Sequence, residues 1–416
     1  MLKKISIVKL LVSVAIIFCL WGFLLQQSVF ANRLLMYVAF VIMLVLGTIC
    51  IVQSKTVFHA VNIYAFIWFP YLIYTMINLL IQGSIEWFVY WFVCFVFLVI
   101  AQSMELRTQI TYKLFFYSGM ICLFGMWLQI MFPNVYNTYV ADIFINSETI
   151  KNWAKWNYGY AGFTCQLGVT SIILIYLEGY ILYILRKNSN KVLLTLALIF
   201  TIVSIFLTGK RMMSLISIVT PLIVYVFSEK KINRKRRNVF IGIIVGILFL
   251  CYFYSNLDML SDNKVLGRIA NSFIAFQNGE DITTNRNEIS ILAKNIFKDN
   301  AILGIGVNRF KEVSGFYTDV HNSFLQVLCE QGIIGIILFV FPLIVCYLKT
   351  ISVLKSISYT VDNLSLKFSL FIQTIFILYS FTGNTTVDRQ CFVIYFISIG
   401  ILVDYIKITQ RRYDRQ

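Results

Sequence analysis

Apolar stretches close to the length of a bilayer span recur from one end of the chain to the other. They lie at about 8–27, 31–52, 57–82, 85–101, 111–132, 161–185, 191–208, 211–228, 238–254, 324–348, 366–382 and 390–407. A helix needs about 20 apolar residues to cross the hydrocarbon core, and in that core each backbone N–H and C=O must be paired within the element. Runs this long and continuous do not suit an outer-membrane barrel, whose strands are about 10 residues of alternating character. The pattern predicts an all-α polytopic membrane protein of about 12 transmembrane helices. Composition agrees, with 59% hydrophobic and 13% charged residues among 416, too little polar surface for a soluble chain.

The first stretch follows Lys3, Lys4 and Lys9, yet no small-residue cleavage site comes after it, so it reads as a helix and not as a signal peptide. The net charge of +16 is unevenly placed. With the N-terminus inside and the spans alternating, the short inner segments collect most of the basic residues. These include Lys3, Lys4 and Lys9, the run Glu229–Arg237, and Arg411, Arg412 and Arg415. The positive-inside rule explains this, where a nucleic-acid surface would not, and puts both termini in the cytoplasm. The 229–237 run reads as an orientation anchor or as a site for anionic lipid. The nine cysteines lie in or beside apolar spans without a C-x-x-C pair, so neither a disulfide framework nor a zinc site is indicated.

This topology divides the chain into a bundle at 1–254 of about nine helices, an outward loop at 255–322, and about three C-terminal helices at 323–416. A shorter outward loop, 133–160, carries Trp153 and Trp156. The two tryptophans read either as an aromatic belt at the headgroups or as a surface on which sugar rings stack. In the long loop, Asn285 and Glu288 have the spacing of a helix start. Ile289, Leu292, Ala293, Ile296 and Phe297 then form an apolar stripe, predicting an amphipathic helix against the bundle or the lipid surface. Gly304-Ile-Gly306 ends that element, and its setting lacks the strand and third glycine of a dinucleotide fingerprint.

Three residues stand out against this background. Arg211, after Lys210, falls outside and in the first turn of a helix, where both the topology rule and the helix dipole disfavour a cation. A bound anion would relieve both penalties; an ordinary cation reaching the headgroups is the alternative. Arg286 repeats the arrangement. His321, where the long loop re-enters the membrane, is one of only two histidines. An imidazole, with an ordinary pKa of about 6.5, suits a general base for a hydroxyl, although a histidine at a helix start also serves structure alone.

Gly304-Ile-Gly-Val-Asn-Arg-Phe310, His321-Asn-Ser-Phe-Leu-Gln326 and Glu330-Gln-Gly-Ile-Ile-Gly335 together resemble the O-antigen ligase and polymerase superfamily, with Arg211, Leu215 and Arg286 matching upstream. The likeness is close over about 200–345 and rests elsewhere on hydropathy. Lys210 stands where the family often has a small polar residue. The resemblance implies a GT-C-like bundle in the bacterial plasma or inner membrane, with a reaction site facing the periplasm or exterior. It also implies a glycosyltransferase that uses no metal, cofactor or nucleotide sugar. Donor and acceptor would be glycans on undecaprenyl diphosphate, with a flippase and a chain-length regulator as candidate partners. Arg211 and Arg286 would hold the diphosphate and His321 would take the acceptor proton. Lys210, Asn322, Gln326, Arg309, Trp153 and Trp156 are candidates for substrate binding.

Between members, the reading favours a polymerase of O-antigen or capsule over a ligase that transfers finished glycan. A lipid-linked oligosaccharide flippase is the reading from another class. It is disfavoured because charges within spans are scarce and no internal repeat is visible.

Overall fold

The computed structural model describes residues 63–103, 109–142, 159–185, 190–229, 267–278, 286–356 and 363–413, with a few isolated positions besides. The main helices are α1 (Phe69–Ile81), α2 (Ile85–Ser103), α3 (Gln109–Met131), α4 (Leu167–Tyr183), α5 (Lys191–Leu207) and α6 (Arg211–Ser228). They continue with α7 (Gly267–Gln277), α8 (Arg286–Asp299), α9 (Phe310–Ser314), α10 (Ser323–Ser356), α11 (Leu364–Ser380) and α12 (Arg389–Tyr413). No strand occurs among the described residues. The expected spans 8–27, 31–52 and 238–254 lie outside them, and every other expected span falls on a helix.

Several helices are shorter than the apolar stretches that contain them. The stretch 57–82 is helical at Ile63–Phe66 and again from α1, which starts with Pro70 in its first turn, where the missing N–H costs no hydrogen bond. Stretch 161–185 opens with a 3-10 turn at Gly162–Thr164 and a left-handed Cys165 before α4 begins. Among the described residues, two helices, α6 and α10, are long and apolar enough to cross a membrane alone. A bent pair, Phe115–Met131 with Pro133–Ala141, turns through 112° at its break.

The exterior of α10 shows why these helices belong in lipid. Ile333, Ile337, Phe341, Ile344 and Leu348 are exposed at spacings that fall on one helical face, while Gln326, Glu330, Gln331 and Thr350 are buried. A helix in water would be arranged the other way round. The chain is a membrane-embedded, polytopic helical protein.

The described residues group into two compact units, one drawn from Leu34–Thr111 and Thr283–Gln416, the other from Tyr112–Ile282. The first is organised around an aromatic core. Trp68 packs edge-on to Tyr395 and Phe396 at 5.4 and 5.6 Å, Tyr71 lies 5.2 Å from Phe339, and Trp91 lies 5.0 Å from Phe392. Large rigid rings fill such a core at little rotamer cost. The second unit centres on α4, buried from Val169 to Ile181. Its neighbours reach it through Phe115 on Tyr176 and the Ser217 hydroxyl, which donates to Glu178 at 2.7 Å. Trp127 stacks on Phe200 at 4.9 Å and donates to Ser204.

Candidate functional site

In the first unit the site is built on a break in α10. Gly332 adopts φ 66° and ψ −164°, so the helical ladder is interrupted there. The Ile333 N–H, which would otherwise bond to Cys329, donates to Ala301 at 2.9 Å. The Cys329 carbonyl accepts the Ile305 N–H at 3.1 Å, and the Glu330 carbonyl accepts Gly306 at 2.7 Å. The turn after α8 is thereby hydrogen-bonded into the broken helix. Backbone meets backbone so closely that a Cβ on Gly304 would lie 2.3 Å from the Glu330 carbonyl carbon. One on Gly332 would lie 2.2 Å from the Ile302 oxygen. Both glycines also have positive φ, which explains why the motif needs glycine at these places.

The Glu330 side chain completes the joint. Its carboxylate accepts the backbone N–H groups of Asn308 at 2.9 Å and Phe310 at 3.3 Å, and the Gln326 amide at 3.3 Å. Gln82, in the turn between α1 and α2, can exchange two hydrogen bonds of 3.0 and 3.1 Å with the Val307 backbone. Ser323, at the start of α10, donates to Gly383 at 3.0 Å and accepts from Thr385. The α1–α2 turn, the start of α10 and the α11–α12 turn therefore meet at one end of this unit, together with segment 304–310. α8 packs here as well: Ile289, Ala293 and Ile296 share a core with Phe310, Val320 and Cys329. Of its two expected settings, bundle or lipid surface, the apolar stripe of this helix takes the bundle.

His321 stands on this joint, half-buried, with a left-handed backbone at φ 55°. That conformation is uncommon outside glycine, and the surrounding contacts have to hold it. On its chain neighbours, Asp319 is paired with Lys311 at 2.8 Å, and the Asn322 side chain caps α10 by accepting the Leu325 N–H at 3.0 Å. Gln326 donates to Asp319 at 3.4 Å and to Glu330. Arg286 is the first residue of α8, as the spacing predicts, while Asn285 lies outside the described residues. Arg309 forks onto Glu312, with Nη2 3.2 Å and Nε 3.3 Å from its oxygens, and this contact holds the Glu312 carboxyl below its usual range. Asp388, in the α11–α12 turn, accepts the Tyr379 hydroxyl at 2.7 Å; burial pushes its carboxyl up to about 6, and nearby Asp319 adds to the effect.

Lys210 and Arg211 belong to the second unit. Arg211 opens α6, and Lys210 precedes it as an extended N-cap residue. The turn before them is held by segment 159–162: Tyr160 donates to the Leu207 carbonyl at 3.0 Å, and Gln129 accepts the Ala161 and Gly162 N–H groups at 2.9 Å each. The Lys210 stem passes close to Gly168 in the first turn of α4. Trp153 and Trp156 lie outside the described residues. No group of three His, Cys, Asp or Glu side chains disposed to hold a metal occurs among the described residues.

Glu330 was within reach of sequence reasoning, as a carboxylate inside an apolar span, but nothing local gives its task. Trp91 and Thr386, far from the motifs in sequence, carry no such signal.

Fold and site together define a polytopic helical membrane protein with a densely hydrogen-bonded motif at one end of its helices. Residues 196–340 match the family model described as O-Antigen ligase. This match, confined to that segment, supports a likeness to the O-antigen ligase and polymerase superfamily, whose members are glycosyltransferase-like enzymes of surface polysaccharide synthesis. The matched segment contains Lys210, Arg211, Arg286, Arg309, His321, Asn322 and Gln326. No curated protein matches the chain.

Proposed function

We infer that the chain is a polymerase of bacterial surface polysaccharide, O-antigen or capsule. It transfers the growing glycan from undecaprenyl diphosphate to a hydroxyl of a lipid-linked repeat unit on the outer face of the plasma or inner membrane. The reading is supported above all by His321, held in a left-handed conformation beside the docked turn and within the matched segment. Its imidazole takes the proton of the acceptor hydroxyl as that oxygen bonds to the anomeric carbon. The bond from that carbon to the diphosphate oxygen breaks, and the lipid diphosphate leaves as an anion. Arg211 and Arg286, each in the first turn of a helix, supply guanidinium groups and N-terminal N–H groups suited to that developing charge. These roles require no metal. Lys210 adds a second cation beside Arg211.

The family description favours a second reading, a ligase passing finished glycan to another acceptor. Purified protein supplied only with lipid-linked repeat units separates the two. A polymer ladder supports the polymerase; transfer that occurs only when a different acceptor is added establishes the ligase. Transport of the units across liposomes without any transfer would establish the flippase instead.

A further inference from the structure

Among the polar groups at this end of the first unit, three are buried without a hydrogen-bond partner, on residues that line one small cavity. They are the Trp91 Nε1 on α2, the Gln326 Oε1 on α10 and the Thr386 Oγ1 in the α11–α12 turn. Trp91 and Gln326 are each 1% exposed and Thr386 is 9% exposed. The cavity is also lined by Trp87, Asn308 and Glu330. Buried polar atoms are normally paired, so three orphans in one cavity are a strong local anomaly.

The orientation of Gln326 is fixed by its surroundings. Its amide nitrogen donates to two carboxylates, Asp319 and Glu330, and turning the amide over would set its oxygen against both. The oxygen must therefore look elsewhere for a donor. An indole N–H can only donate, an amide oxygen can only accept, and a threonine hydroxyl does either. An occupant satisfying all three has to donate and accept at once. A metal cation fails at the indole N–H, and a phosphate oxygen fails at Gln326 Oε1 beside Glu330. A neutral hydroxyl fits. Trp87, half-buried, lines the same cavity.

We propose that this cavity is a glycan subsite of the acceptor: a single hydroxyl of a neutral sugar, bound between Trp91, Gln326 and Thr386. The proposal rests on the transferase reading, and Gln326 stands in the first turn of α10, the helix that His321 precedes. A water molecule has the same hydrogen-bonding chemistry, so the test must separate a sugar hydroxyl from water.

Thr386→Val removes one orphan group with little change of shape; Trp91→Phe removes another but vacates part of the ring volume packed against Tyr71 and Phe392. Neither leaves a new unsatisfied partner; Thr386→Val should keep wild-type thermal stability, and Trp91→Phe should fold with a somewhat lower melting temperature because of its lost packing. If the subsite binds sugar, each raises the apparent KM for lipid-linked repeat units by about tenfold, the worth of one hydrogen bond, with kcat little changed. In parallel, the intrinsic fluorescence of the full-length protein is titrated with neutral monosaccharides. A response in wild type that is lost in both variants supports the subsite, even if no transfer from lipid diphosphate is found. Unchanged KM and unchanged fluorescence titrations assign the cavity to water and overturn the proposal. A fall in kcat at constant KM would also overturn it.

Discussion

Glu330 on α10 accepts the backbone N–H of Asn308 at 2.9 Å, joining the helix that follows His321 to the turn that follows α8. The same carboxylate takes the Phe310 N–H, so one side chain holds two donors where the turn leads into α9. Replacing it by alanine orphans both, each at a cost of about 1–3 kcal/mol. Glu330→Ala should lower the melting temperature in detergent, and the Asn308 and Phe310 amides should exchange hydrogen faster. Glu330→Gln keeps an oxygen acceptor and should lie between. Unaltered exchange at both amides in the alanine variant would show that the turn is held by other contacts.

Gly304→Ala and Gly332→Ala should each destabilise the protein by more than about 1 kcal/mol, because each adds a Cβ at positive φ. That carbon would also collide with backbone, which cannot swing aside as a flexible side chain does. Gly83→Ala, also at positive φ but with open space around it, is the control and should be milder. Equal losses in all three would leave strain as the whole explanation and remove the close packing from it.

For the chemistry, His321→Ala should reduce transfer by at least about 100-fold while the protein remains in the membrane and lipid-linked donor persists. Arg211→Ala and Arg286→Ala should each cost about 100-fold or more. A lysine at either place should recover only part of the rate, since it lacks the guanidinium fork. Polymer made at the normal rate by any of the alanine variants would remove that residue from the mechanism. Turnover should be insensitive to a chelator; inhibition reversed by a single divalent ion would overturn the metal-free proposal.

The Asp388 carboxyl predicts a pH dependence of stability. Its folded pKa of about 6 lies above the ordinary 3.8, so the folded chain binds the proton more tightly than the unfolded chain. Its stabilising contribution is complete below about pH 3.8 and is lost as pH rises through about 6. Asp388→Asn removes this titration. Melting temperatures of wild type and variant should therefore diverge between pH 4 and 6, with the wild type falling relative to the variant. Parallel curves across that window would place the raised carboxyl elsewhere.

Much of this protein was legible in local sequence. Hydropathy depends on neighbours along the chain, so the helical membrane class and the positions of most described helices followed from it, as did helix starts at Arg211 and Arg286. Helix lengths did not, because turns such as Gly162–Thr164 are as apolar as the spans they precede. Gly304, Gly306 and Gly332 were visible as a motif, but their purpose depends on an exchange of backbone partners between segments about 30 residues apart. The docking of Gln82 on Val307 and the meeting of Trp91, Gln326 and Thr386 lie further out of reach. Local sequence is enough to define a set of apolar helices and a motif that resembles the superfamily's. Tertiary structure alone decided which buried polar groups find partners and which are left facing a cavity, because a hydrogen bond depends on distance in space and carries no periodicity along the chain.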